Sequence, residues 1–400
     1  MGRVEEAQRL ADLAVGLGAN VQPGQLVRIS GEVGQVDAVR AVAEAAYRRG
    51  ARFVDVNLFD PIVQRARILH APASALEEIP SWEIERIRAL GEEGGASIKI
   101  TGPTVPGAFD DLDPVRVGRV SLPAVPQWRE VELLVNWTVI PFPTPAWAKA
   151  LRPELSVEDA FGALWEDIAF ACRLDKSDPT AAWGARLEQL RRRAEALNAL
   201  ALDSVRFRGP GTDLRVGLLA SARWERPVMV TARGVEHVPN VPTEEVFTVP
   251  DPARVDGVVR LTRPALVGGR LIDAVTLQFR GGHVTAIDGP SSVQALREFV
   301  ARDDGARRLG ELALVDSSSR VGQLGRTFGD ILLDENAVSH VALGYGFPEL
   351  VAEGQQDKVN SSAFHLDVMV GSEEVEVTGS DRDGRQHPLL RQGEWVLNLV

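Results

Sequence analysis

The sequence predicts an α/β protein: an N-terminal βαβ domain with a parallel sheet, followed by a mixed, mainly antiparallel α+β domain. Three observations carry this. Helix and strand periodicities alternate through the first half, short alternating segments separated by turn signals take over after residue 203, and 400 residues leave room for two or three domains at roughly 100–200 residues each. The boundary is expected near residue 201, giving domains 1–200 and 201–400.

In residues 4–18, Ala7, Leu10, Ala11, Ala14 and Val15 recur at helical intervals, so a helix with one buried face opens the chain. After Pro23-Gly24, a strand over 26–29, an alanine-rich helix over 35–49 and a strand over 51–56 form a βαβ unit, which implies a parallel sheet. Helices near 75–90 and 158–173 and strands near 97–101 and 132–140 repeat the theme. Pro141, Pro143 and Pro145 force an extended segment before Trp147. Within 181–200, Trp183, Leu187, Leu190, Ala194 and Leu197 form an apolar stripe, beside which Arg191, Arg192 and Arg193 read as a solvated face. Beyond it, Val205-Arg206-Phe207-Arg208 and Leu214-Arg215-Val216-Gly217-Leu218 flank the turn Gly209-Pro210-Gly211-Thr212-Asp213. Longer helical patterns return only near 292–302 and 332–343.

Composition excludes several functions. With 44 basic and 56 acidic side chains the net charge is −12, which argues against a nucleic acid partner. One cysteine, Cys172, excludes an intrachain disulfide and a cysteine-ligated metal cluster. No apolar run is long enough for a membrane helix, and Met1-Gly2-Arg3-Val4-Glu5-Glu6 lacks the pattern of a secretory signal, so a cytoplasmic protein is expected. Gly16-Leu17-Gly18 is not a dinucleotide fingerprint. Asp316-Ser317-Ser318-Ser319 has no nucleophile elbow around its hydroxyls.

The segments with chemical content lie late in the chain. In Phe364-His365-Leu366-Asp367-Val368-Met369-Val370, strand periodicity sends Phe364, Leu366, Val368 and Val370 to one face and His365 with Asp367 to the other. That pair suits a divalent metal, or a surface strand whose polar face meets water. Gly310-Glu311-Leu312-Ala313-Leu314-Val315 isolates Glu311 among small residues opposite Leu312 and Leu314. In Pro242-Thr243-Glu244-Glu245-Val246-Phe247 the two glutamates must diverge, so only one faces a common centre with Phe247. Asp334-Glu335-Asn336 begins like a capped helix leading to His340, which is either a site residue or a buried histidine. Together these segments offer enough ligands for two metal ions, an arrangement that activates water for hydrolysis.

Asn240-Val241-Pro242-Thr243-Glu244-Glu245-Val246-Phe247-Thr248, Leu309-Gly310-Glu311, Asp334-Glu335-Asn336 with His340, and His365-Leu366-Asp367 with Gly371-Ser372 resemble the thermophilic metallo-aminopeptidases, the family of aminopeptidases T and S. The likeness extends over nearly the whole chain, including Gly211-Thr212-Asp213-Leu214 and Pro143-Thr144-Pro145-Ala146-Trp147-Ala148. It implies a C-terminal catalytic domain, a homodimer that partly encloses the site, and a peptide substrate cut at its first bond. It also implies two divalent ions per subunit (zinc, cobalt or magnesium, with manganese also suited to these ligand types), held by Glu245, Glu311, His340, His365 and Asp367. A carboxylate must then carry the water's proton, and Glu311 is the candidate.

The family usually carries a tyrosine seven residues after the first metal-binding histidine, where this chain has Phe347. Tyr345 is the candidate replacement as a donor to the oxyanion. A catalytically impaired or specialised metal-binding homologue is the alternative that this departure raises. A metal-free glycosidase using two carboxylates would leave His340 and His365 without a role.

Overall fold

The computed structural model describes residues 3–120 and 125–397; Met1 and Gly2 of the N-terminal segment lie outside them. The chain divides into two compact units, Met1–Ala185 with Pro227–Thr243, and Arg186–Arg226 with Glu244–Val400.

The first unit is built on a parallel sheet of β1 (Leu26–Glu32), β2 (Phe53–Phe59), β3 (Ala96–Thr101) and β4 (Asn136–Pro141), ordered β2-β1-β3-β4. Its helices are α1 (Arg3–Leu13), α2 (Val36–Arg48), α3 (Pro61–His70), α4 (Ser81–Glu92), α5 (Pro114–Val120), α6 (Val125–Val131), α7 (Pro145–Leu151) and α8 (Val157–Ala171). Side chains set several starts: Asp60, Thr144 and Ser156 accept the orphan N–H groups of Ile62, Trp147 and Asp159. Pro61 and Pro145 occupy first-turn positions that need no donor. Helix α3 was not expected from periodicity, and the helix expected from about residue 75 starts at Ser81.

The sheet order reverses between β1 and β3, the place where open α/β sheets commonly bind ligands. Here Gln35 donates to the carbonyls of Thr101 and Gly102, each at 2.9 Å, and Glu32 accepts from the Thr104 N–H at 2.7 Å. Carbonyls and a carboxylate at this crevice are the wrong polarity for a phosphate. Gly18 ends a π-helical turn, Ala14–Gly18, that continues α1. It serves close packing, since a Cβ there would lie 2.7 Å from Thr138 Oγ1. The short ribbon of β7 (Met229–Val230) and β8 (Glu236–His237) also belongs to this unit.

Helix α9 (Pro179–Ala199) carries its expected stripe of Trp183, Leu187, Leu190, Ala194 and Leu197 into the interior. The neighbouring arginine run is not uniformly solvated. Arg191 and Arg192 pair with Glu188 near the surface, whereas Arg193 is buried and holds Asp316 with two bonds of 3.0 and 2.8 Å. The helical repeat turns residue 193 towards the apolar side, and Asp316 neutralises it there.

The second unit contains an eight-stranded sheet and a four-stranded sheet. The larger comprises β5 (Leu202–Gly209), β6 (Thr212–Leu218), β10 (Pro250–Arg260), β13 (Thr276–Arg280), β14 (His283–Asp288), β18 (Glu376–Asp381), β19 (Gln386–Arg391) and β20 (Glu394–Trp395), ordered β14-β13-β10-β6-β5-β18-β19-β20. The smaller is antiparallel, β17 (His365–Met369), β16 (His340–Gly344), β15 (Leu309–Leu314) and β9 (Val246–Thr248) in that order. A ribbon of β11 (Ala265–Val267) and β12 (Arg270–Ile272), and helices α10 (Gln294–Val300), α11 (Arg320–Gln323) and α12 (Ile331–Glu335), complete the unit. The parallel first sheet and antiparallel second unit match the expected fold class.

The helix expected over 332–343 is corrected: it stops at Glu335, and His340 begins a strand. The Asn336 side chain donates to the Leu332 carbonyl at 2.8 Å, capping the last turn. Ser339 then exchanges hydrogen bonds with the main chain of Val315 at 3.0 and 3.1 Å, committing the chain to the sheet.

Candidate metal centre

The four-stranded sheet brings the chemically active segments onto one face. Glu311 on β15 lies opposite Ala342 on β16, and Ala342 lies opposite Asp367 on β17. In the adjoining row, Phe247, Ala313, His340 and Met369 follow one another across the four strands, and Gly344 stands opposite His365. Because side chains alternate along a strand, all of these project to the same side. Ala313, Ala342 and Gly344 add almost no volume there, so the longer side chains can lean together above them.

Glu245 precedes β9 by one residue and shares the parity of Phe247, which directs it to this face. Glu244 diverges from it and meets Arg186, whose Nε lies 2.7 Å from Glu244 Oε2. The two groups that result are Glu245, Glu311 and His340, and Glu311, His365 and Asp367, with ligand atoms in each group within 4.8 Å of one another. Glu311 is common to both. Glu245, Glu311, His340 and Asp367 are buried and His365 is half-buried, so the polar face of this sheet does not simply meet water.

Electrostatics bind the cluster together. His340 Nε2 lies 3.2 Å from Glu245 Oε2, and His365 Nε2 lies 3.1 Å from Glu311 Oε2 and 3.2 Å from Asp367 Oδ1. Burial pulls the His340 pKa down, but Glu245, Asp367 and Glu311 outweigh it and hold the imidazole at about 9. His365 is raised well above its ordinary value, because Asp367 and Glu311 together overcome burial. Burial raises Glu311 in spite of His365, whereas for Asp367 burial is outweighed by His365, which lowers it. Each imidazole has its Nδ1 against a main-chain carbonyl, Val338 at 3.3 Å and Tyr345 at 2.9 Å, which leaves Nε2 aimed at the carboxylates.

The donor set fits a divalent metal. Imidazole and carboxylate are ordinary ligands for such ions, and each group places them with ligand atoms within 4.8 Å of one another. Glu245 Oε2 is buried, and His340 Nε2 at 3.2 Å is the ring nitrogen facing it.

Tyr345 is near, but its closest described contact with the site is its carbonyl on His365. Its ring packs 6.0 Å from that of Phe347. Phe347 in turn stands edge-on to His365 at 5.8 Å and to Phe247 at 5.3 Å, forming one wall beside the imidazole.

One participant was quoted in the sequence without a role. Glu335, at the end of α12, hydrogen-bonds Asp367. Burial and the charges of Asp367, Glu245, Glu311 and Asp330 push its pKa well above the usual range. Its adjacency to Asn336 in the quoted motif was the available signal. Of the remaining histidines, His237 is buried in the first unit with its ring 6.2 Å from Trp137. His283 and His387 pair with Asp304 and Asp381.

Among the described residues, no helix is long and apolar enough to cross a membrane.

Known proteins align with the chain over almost its full length. Aminopeptidase T of Thermus aquaticus is 38% identical, with 98% of this chain and 99% of the relative aligned. Aminopeptidase 2 of Geobacillus stearothermophilus is 34% identical, with 99% of each aligned. The solved structure of wild-type AmpT from Thermus thermophilus superposes with a TM-score of 0.88 at 38% identity, covering 98% of this chain and 99% of that one. A sequence model of the thermophilic metalloproteases (M29) matches residues 4–395, and the chain belongs to that family.

Proposed function

We propose that the chain is a metal-dependent aminopeptidase that releases N-terminal amino acids from peptides with two divalent ions per subunit. The observation that carries this reading is the pair of ligand groups sharing Glu311 on a buried sheet face kept open by alanine and glycine. Glu245, Glu311 and His340 would hold one ion, and Glu311, His365 and Asp367 the other. When bound, such a pair supplies Lewis-acid polarisation of the scissile carbonyl and of water.

The chain's own groups have separate tasks. Glu311, common to both ligand groups, is the carboxylate suited to take a proton from water and return it to the leaving amine. The carbonyls of Val338 and Tyr345 orient the two imidazoles. Phe347 and Phe247 exclude water from one side of His365. Tyr345 is the proposed donor to the oxyanion, its ring lying beside Phe347. Mixed imidazole and carboxylate ligation suits zinc, cobalt or manganese better than magnesium. A homodimer in the cytoplasm belongs to the same reading.

The second reading, an impaired metal-binding homologue, is favoured by Phe347. A panel of aminoacyl chromogenic amides, with free and acetylated α-amines, separates the two. The aminopeptidase reading expects hydrolysis of free-amine substrates only, lost on chelation and restored by an added divalent metal. Equal cleavage of acetylated substrates, or activity indifferent to chelation, would overturn it. Stoichiometric metal binding without hydrolysis of any substrate would favour the impaired homologue.

A further inference from the structure

Glu245 lies outside the strand ladder, which begins at Val246, so something other than sheet pairing must fix its main chain. The preceding residue supplies it. The N–H of Glu244 donates to Asn336 Oδ1 at 2.7 Å, its carbonyl accepts from Arg186 Nη2 at 3.3 Å, and its carboxylate accepts from the Arg320 N–H at 3.4 Å. Arg186 Nε lies 2.7 Å from the same carboxylate, and Nη1 donates to Ser318 Oγ at 3.0 Å. Asn336 donates onward to Glu335 Oε1 at 3.3 Å. Both Arg186 and Glu244 are buried.

The charges in this layer balance. Arg186 and Arg193 face Glu244 and Asp316, with Arg186 Nη2 3.5 Å and Arg193 Nη2 2.8 Å from Asp316. The Arg193 guanidinium is 5.4 Å from the Trp395 ring centroid. Glu244 therefore adds no uncompensated charge to the neighbouring carboxylates. A hydrophobic pair would fill the same space with less desolvation, so neutralisation alone gives no reason for a guanidinium. What it uniquely provides is a planar fork that reaches a carboxylate, a carbonyl and a hydroxyl together.

We propose that Arg186 is a positioning residue of the metal centre: through Glu244 it holds the main chain that aims Glu245, and through Asn336 the same tether reaches Glu335. The inference rests on the metal-dependent reading above. Arg186→Lys keeps the cation but loses the fork, and Arg186→Met with Glu244→Leu removes both charges without leaving either unpaired. Metal-free wild type and both variants would be titrated with cobalt(II), following affinity and the visible absorption of the bound ion.

Both variants are expected to keep the wild-type circular dichroism and to bind cobalt roughly 10–100-fold more weakly, with an altered spectrum. A folded variant of either kind with wild-type affinity and spectrum would overturn the positioning role. A wild-type chain that binds no cobalt would instead overturn the metal-dependent reading itself.

Discussion

Glu311 bears the heaviest load of any single side chain in the proposed site, because both ligand groups contain it. Glu311→Gln keeps its size and removes its charge. It should lower kcat/KM by about 10²–10⁴-fold while leaving the melting temperature of the metal-free protein near wild type; a variant with full activity would remove Glu311 from the chemistry. His237, in the first unit, makes a separate prediction. Burial lowers its pKa to about 4 from an ordinary 6.5, so the folded protein keeps it neutral while the unfolded chain takes up a proton below 6.5. Stability is therefore lost as pH falls from 6.5 towards 4, by about 2–3 kcal/mol at pH 4.5. Urea unfolding at pH 7 and 4.5 should show that loss reduced in His237→Gln, and an unchanged difference would contradict it. At this scale, the sequence showed that Glu244 and Glu245 must diverge, while the choice of Glu245 rested on the family resemblance; the structure turns Glu244 to Arg186 and Glu245 to His340. The roles of Glu335 and Arg186 were not legible, because each depends on a partner that folding alone brings near: Asp367 for one, Glu244 for the other.

The element that makes the centre possible is β16, whose alternation of His340 with Ala342 and Gly344 leaves space between the two acidic strands. Ala342→Leu would insert a branched side chain directly between Glu311 and Asp367. Overpacking of this kind costs about 1–3 kcal/mol, which the fold should tolerate, while metal affinity should fall about tenfold or more. Unaltered metal binding in that variant would contradict the proposed face. Strands with a clean period of two, such as β15 and β17, were readable because bulky apolar residues alternate with small or polar ones, although both faces are buried. Helix α3 was not, because Ile62, Val63 and Leu69 are exposed and blur its stripe, although Asp60-Pro61 was a valid start signal. The end of α12 escaped for another reason. The helical pattern ran on towards His340, but the Asn336 side chain took the helix's own carbonyl and Ser339 joined Val315.

For the whole molecule, similarity to the metalloprotease family extends from residue 4 to 395, so it is not confined to the segments that carry the candidate centre. The two units divide the labour visible here: the first closes its sheet crevice with Gln35 and Glu32, while all five proposed ligands come from the second. The central claim is that these ligands hold two ions on which aminopeptidase activity depends. Equilibrium dialysis of the metal-free protein against zinc or cobalt, with hydrolysis of an aminoacyl amide followed at each loading, tests it directly. The account predicts saturation at two ions per chain, with activity rising as they bind and both lost in Glu311→Gln. Full activity in protein stripped of metal, or binding unaffected by Glu311→Gln, would contradict it.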